Sequence, residues 1–118
     1  FANEPILKGK WLNSDKPQHI DLVGGYTYDM READNDVIAC SNIYVDAFSG
    51  ALSEAGDILR PIDEGIISKD DVLGDLFDLV SDNFKRQANG KNSFFKSVGT
   101  ALEDLIAAKL GFDNYRNN

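Results

Sequence analysis

The feature that most limits how this chain can fold is an alternation of short β-branched runs with capped helical segments. His19-Ile20-Asp21-Leu22-Val23 alternates, turns apolar and stops sharply at Gly24-Gly25, the profile of a buried strand feeding a tight turn. Asp29-Met30-Arg31-Glu32 has the spacing of a capping box, an acidic N-cap whose partner three residues on bonds back to its amide. It predicts a short helix through about Ser41 with Val37, Ile38 and Cys40 turned inward. Ile43-Tyr44-Val45-Asp46 is a second β-branched and aromatic run bounded by polar residues. Strands that alternate with helices predict α/β architecture with parallel strands and flanking helices.

The remaining segments read as follows. Ile6 to Leu12 predicts an extended edge segment, guarded by Lys8 and Lys10, and Asn13 to Pro17 a polar turn. Ala51 to Ala55 predicts a short helix ended by Gly56, with Pro61 barring continuation and Gly65 marking a turn. Ser68-Lys69-Asp70-Asp71 is a second capping-box pattern, and Val72, Leu73, Leu76, Phe77 and Val80 follow on one helical face. Ser81 to Ser93 is polar and aperiodic, an exposed connection. Phe94-Phe95-Lys96 is a short β-prone approach to Ser97, a good N-cap, after which Val98, Ala101, Leu102, Leu105 and Ile106 recur at helical spacing. Lys109 and Gly111 supply a stop to this long last helix, and Asn114 to Asn118 should fray. Gly99 is the odd choice in a first turn, since glycine weakens a helix by about 1 kcal/mol relative to alanine. It is easier to understand if something must approach the backbone there.

A chain of 118 residues has room for one domain at most. The formal net charge of −8 argues against a nucleic-acid partner or an anionic membrane surface. No apolar run approaches membrane-spanning length. Cys40 is the only cysteine, which excludes an intramolecular disulfide and fits a reducing cytoplasm. Beside Val37, Ile38 and Ala39 it is expected to be a small core residue. His19, the only histidine, has no partner at metal-ligand spacing, so no metal site is indicated. Neither a G-x-G-x-x-G turn nor a P-loop occurs.

Two constellations have chemical meaning. Val23-Gly24-Gly25-Tyr26 follows a predicted parallel strand, at the edge where open α/β sheets bind ligands, and glycines let a ligand lie close to main-chain amides. A tight turn requiring positive φ accounts for the same pair. Ser97-Val98-Gly99 places free amides and a favourable dipole at a helix N-terminus, but a plain serine N-cap, which helices use constantly, is the simpler account of the residues alone. Glu54, Asp57, Glu103 and Asp104 read as solvated faces.

The ordered series of segments is specific where each alone is not. Pro5-Ile6-Leu7-Lys8-Gly9-Lys10-Trp11-Leu12, His19 to Tyr26, Asp29 to Glu32, Ile43 to Asp46, Glu54-Ala55-Gly56-Asp57 and Phe95-Lys96-Ser97-Val98-Gly99 resemble consecutive segments of the ornithine cyclodeaminase/mu-crystallin family, over essentially the whole chain. The resemblance implies a partial Rossmann-like fold, the C-terminal half of a NAD(P)-binding domain over residues 1–93, with a closing helix over 94–118. In the family that helix packs back on a separate substrate and dimerisation domain. It also implies hydride transfer between a nicotinamide and the α-carbon of an amino or imino acid.

Carried over residue by residue, Val23, Gly24 and Gly25 resemble the loop along the cofactor, Ser97 the residue at the nicotinamide end, and Val98 a substrate contact. Tyr26 is a departure, because cyclodeaminase members place an acid/base aspartate there and ketimine-reductase-like members do not. An imine reductase or amino-acid dehydrogenase is therefore the expected parent activity. The family's dinucleotide fingerprint and its substrate lysine and arginine belong to regions not found in this sequence. Alone, the chain is expected not to catalyse the reaction, nor to suffice for binding NAD or NADP. Two readings remain open: the C-terminal portion of an enzyme, as a fragment or one piece of a split chain, or a free-standing truncated derivative acting as a non-catalytic oligomerising or binding module.

Overall fold

The computed structural model describes residues 4–117 apart from 83, 86 and 88. The β-rich runs form three parallel strands, β1 (His19–Leu22), β2 (Ser41–Val45) and β3 (Asn92–Lys96), in the order β1-β3-β2. The last strand thus inserts between the first two. Its register sets Phe94 beside Ile20 on one flank and Ile43 on the other. Residues paired across strands share a face, so these three side chains form the floor of the core. Against that floor pack α1 (Asn35–Ala39), α2 (Phe48–Glu54) and α3 (Gly56–Asp63), which contribute Val37, Ile38, Ala51 and Ile58. β2 is buried along its whole length, whereas β1 lies at the edge and only Ile20 is fully covered.

The two sheet edges differ. Residues 72–74 run along the outer side of β2, where Leu73 N donates to Ile43 O (2.8 Å) and Val45 N to Gly74 O (3.1 Å). β1 pairs only with β3 among the described residues, and its other side is open.

Several local expectations are corrected, each because a long-range bond outbids a local one. Asp34, not Asp29, caps α1 by accepting from Val37 N (3.1 Å), since Glu32 is committed elsewhere. Cys40 ends that helix exposed instead of entering the core. Within 6–12 only Leu7 bridges, to Ala33, and Gly9–Trp11 is a 3-10 turn whose first amide donates to Asp34 Oδ1 (2.9 Å). α3 starts at Gly56 and carries Pro61 inside it; the ring forfeits one helical hydrogen bond but is buried against the core.

The Ser68–Asp71 capping box exists, on a 3-10 turn (Lys69–Asp71), but no continuous helix follows. β2 claims the backbone of 73 and 74, and Asp75 caps a new four-residue helix, α4 (Leu76–Leu79). Phe77 and Val80 are consequently exposed. The 93/94 junction lies within β3, so the element that stands apart from the sheet is α5 (Ala101–Arg116).

Thr100, not Ser97, caps α5, through a capping box with Glu103. The helix passes through Gly111 and reaches Arg116, braced by an ion pair between Lys109 and Asp113. None of its 16 residues is buried, and Leu102, Leu105, Ile106, Leu110, Phe112 and Tyr115 are each more than half exposed. Nothing lies within 4 Å of a Cβ built on Gly111. Gly111→Ala should therefore raise helicity, with a gain of about 1 kcal/mol for the helix, read by circular dichroism and urea unfolding. A loss of helicity would show that Gly111 terminates α5.

Candidate functional site

A parallel sheet delivers the C-terminal ends of all its strands to one edge, and here three loops arrive there. β1 runs into Val23, Gly24 and Gly25, β2 into Asp46, and β3 into Ser97, Val98 and Gly99. Ser97 N donates to Leu22 O (3.1 Å) and Asp46 N to Lys96 O (3.2 Å), which draws the three ends together. The two constellations singled out in the sequence, Val23–Tyr26 and Ser97–Gly99, are distant along the chain and neighbours in the fold.

Beneath this edge lies a buried charge cluster. Lys96 shares its strand face with Phe94, and its side chain is 0% exposed. Its Nζ lies 2.7 Å from Glu32 Oε2 and 3.3 Å from Asp57 Oδ2, and Asp57 is also 0% exposed. The Asp57 contact is an ion pair without hydrogen-bond alignment, so that oxygen has no directed donor. The other oxygen, Oδ1, accepts from the amides of Glu32 (2.8 Å) and Ala33 (3.0 Å). Glu32 Oε2 in turn accepts from Gly24 N (2.8 Å) and Gly25 N (2.9 Å). Burial works against ionisation of Glu32, but the Lys96 ammonium and the two glycine amides outweigh it and hold the carboxyl below its ordinary range.

This explains the glycine pair better than a turn does. Neither residue has positive φ. A Cβ on Gly24 would lie 2.8 Å from Glu32 Oε1, and one on Gly25 would lie 3.3 Å from Asp57 Oδ2 and 3.5 Å from Lys96 Nζ. A side chain at Gly24 would displace the Glu32 carboxylate from its place in the cluster, and one at Gly25 would press tightly on Asp57.

The second loop is organised in the same way. Asp46 Oδ2 accepts from Ser97 Oγ (3.0 Å), Val98 N (2.8 Å) and Gly99 N (2.8 Å), while Oδ1 accepts from Ala47 N (2.8 Å). Gly99 adopts φ +85°, the left-handed region, and the N-cap of α5 follows at Thr100. Val98 packs over Gly50 of α2. Val23 and Tyr26 remain exposed on the solvent side of the edge, and Gly25 and Ser97 are buried.

Asp46, Glu32, Asp57 and Lys96 lie outside the candidate site residues that the sequence offers, and Asp57, fully buried, is the opposite of the solvated residue expected. One signal was available for Lys96: in a strand, positions 94 and 96 face the same side, so a core phenylalanine at 94 implies a buried lysine.

Residues 1–118 match the family model of the ornithine cyclodeaminase/mu-crystallin family along their full length. The chain belongs to that family. It is 40% identical over 108 residues to Delta(1)-pyrroline-2-carboxylate reductase of Colwellia psychrerythraea, covering 91% of this chain and 34% of that protein. It is also 40% identical over 116 residues to ketimine reductase mu-crystallin of Rattus norvegicus, covering 98% and 34%. Among solved structures it superimposes with a TM-score of 0.86 on Thermococcus litoralis Delta(1)-pyrroline-2-carboxylate reductase in complex with NADH and L-proline, at 39% identity, covering 95% of this chain and 34% of that one. The chain therefore spans about a third of the length of the relatives it matches. The α/β fold with a parallel sheet is thus that of NAD-binding dehydrogenase-like neighbours, and the family chemistry is NAD(P)-dependent imine reduction or cyclodeamination.

For this family member, Lys96→Met leaves Glu32 and Asp57 without their shared cation. Urea unfolding should show a loss of about 3–5 kcal/mol, the usual cost of breaking a buried ion pair from one side. The pH dependence follows from Glu32. Its folded-state pKa is depressed, so its stabilisation is complete above the unfolded value of about 4.3 and disappears as pH falls through the folded value. Glu32→Gln should flatten that acid limb of the stability curve; an unchanged limb would remove Glu32 from the cluster's energetics.

Proposed function

We propose that this chain is the C-terminal third of a NAD(P)H-dependent reductase of cyclic imino acids, and that it forms the nicotinamide-side wall of the active site. The observation that carries the proposal is the meeting of Gly24-Gly25 with Ser97–Gly99 at the C-terminal edge of the parallel sheet. It is supported by the 0.86 TM-score to a reductase that holds NADH and L-proline. On this reading Val23, Gly24, Gly25 and Ser97 lie along the cofactor and Val98 faces the substrate. NAD(P)H supplies the hydride; the chain's own residues position the ring and exclude water. Tyr26, about half exposed at the mouth of the site, stands where cyclodeaminases carry an acid/base aspartate, which favours imine reduction over ammonia loss from ornithine.

The pyrophosphate and the substrate's carboxylate are then held by the part of the fold that this chain does not contain. Two surfaces suit that partner: the open side of β1, which accepts a further strand, and the uncovered apolar residues of α5. A second copy of the chain could use the same surfaces, which is the binding-module alternative. Light scattering separates the two, since a folded monomer that gains activity only on joining the dinucleotide half supports the reductase reading.

The decisive experiment assays the protein in which this chain is joined to the segment carrying the dinucleotide fingerprint. It should oxidise NAD(P)H with a cyclic imine carboxylate such as Δ1-pyrroline-2-carboxylate, and should release no ammonia from ornithine. The 118-residue chain alone should do neither. Ammonia release, or turnover by the isolated chain, would overturn the assignment.

A further inference from the structure

The Asp46 carboxylate does more than end β2. It is 2% exposed, and both of its oxygens are already engaged by main-chain N–H groups: Ala47 on Oδ1, Val98 and Gly99 on Oδ2. An amide hydrogen is fixed in the peptide plane and cannot reverse its role. The one partner that could rotate is the Ser97 hydroxyl, 3.0 Å from Oδ2. A hydroxyl has a single hydrogen and two lone pairs, and a carboxylate oxygen that faces N–H groups offers it nothing to accept. The Ser97 hydrogen is therefore committed to Asp46. Its backbone is held as well, through the bond to Leu22 O at 3.1 Å.

We propose that Asp46 is a positioning residue that makes Ser97 a hydrogen-bond acceptor only, so that the ligand group seated at Ser97 is an N–H donor. This rests on the reductase reading above. A carbonyl or phosphate oxygen brought to Ser97 Oγ would oppose lone pair to lone pair, whereas an N–H group meets its complement. The main-chain amides around it, which would otherwise attract an anion, are filled by Asp46, and those of Gly24 and Gly25 are filled by Glu32. Both loops thus select against an anionic group at this end of the site. Two N–H donors occur in the proposed reaction: the carboxamide of the nicotinamide and the protonated nitrogen of the cyclic imine.

The test uses the assembled protein, with equilibrium binding of NADH and of its 3-acetylpyridine analogue, in which a methyl replaces the carboxamide NH2, together with KM for the cyclic imine. If the carboxamide is the donor, NADH should bind about tenfold tighter than the analogue, the size of one hydrogen bond. Ser97→Ala should abolish that preference and Ser97→Thr should keep it. If the imine nitrogen is the donor, Ser97→Ala should instead raise the imine KM about tenfold and leave the cofactor preference unchanged. Either result supports an acceptor at Ser97. Asp46→Ala frees the hydroxyl and should reproduce Ser97→Ala. Asp46→Asn still presents an oxygen to the Ser97–Gly99 arm and should retain the wild-type pattern. A purely structural Asp46 would lower stability in both variants without moving the preference. Should Asp46→Ala not fold, the Ser97 pair decides the ligand group. A protein that reduces the imine while Ser97→Ala changes neither quantity overturns this inference alone. A protein that binds neither dinucleotide overturns the reductase reading and this inference with it.

Discussion

Lys96 is the point on which the edge of this fold depends. An ammonium with no solvent contact costs several kcal/mol to desolvate, and two carboxylates are needed to offset it. A hydrophobic residue of similar size would fill the same volume at less cost. It would not hold Glu32 under the amides of Gly24 and Gly25, nor draw Asp57 from α3 to the amides of Glu32 and Ala33. One side chain on the central strand thereby connects the end of β1, the segment before α1 and the first turn of α3. The close approach of the glycines is a consequence of this arrangement, since a Cβ on Gly24 would meet Glu32 Oε1 at 2.8 Å and one on Gly25 would lie tightly against Asp57 Oδ2 at 3.3 Å.

That dependence also explains what the sequence revealed and what it concealed. The strand at 19–22 and the 43–45 core of the strand at 41–45 were legible because β-branched and apolar residues at those positions have no competing use, although the helix expected through Ser41 gives way to β2 there. The ordered segments carried the family resemblance across the whole chain. The helix starts were misplaced for a single reason. Caps are local patterns, and the Glu32 expected to complete a capping box and the Ser97 expected as an N-cap are both taken by partners distant in sequence. Glu32 serves Lys96, 64 positions away, and Ser97 serves Asp46, 51 positions away. Local spacing cannot announce such contacts. The long helix expected over 68–80 failed similarly, because β2 offered residues 73 and 74 sheet bonds that a helix could not match.

The last helix shows the reverse case, in which sequence reading found an apolar pattern and the fold gives it no partner. Leu102, Leu105, Ile106, Leu110, Phe112 and Tyr115 lie over more than one side of α5. A helix that is apolar on several sides is suited to burial between surfaces more than to lying on one. Its capping box and the Lys109–Asp113 pair preserve its form, but tenths of a kcal/mol from such local terms are small beside the burial its side chains could provide. Together with the open side of β1, it marks where the proposed remainder of the reductase has most to gain by docking.

The same logic bears on where a dinucleotide's charges can go. Each loop at the strand ends has main-chain amides of the kind that bind phosphate, and in each an internal carboxylate already occupies them. Adding a phosphate would set it against Glu32 or Asp46 at short range, a repulsion that a single Lys96, itself saturated by two carboxylates, does not relieve. An edge built this way suits the uncharged or cationic end of a ligand. The chain's lack of a glycine-rich phosphate turn and its filled amide cradles are therefore one property seen twice: on the proposed reading, this wall receives the reacting ring, and the anionic part of the cofactor belongs to the other wall.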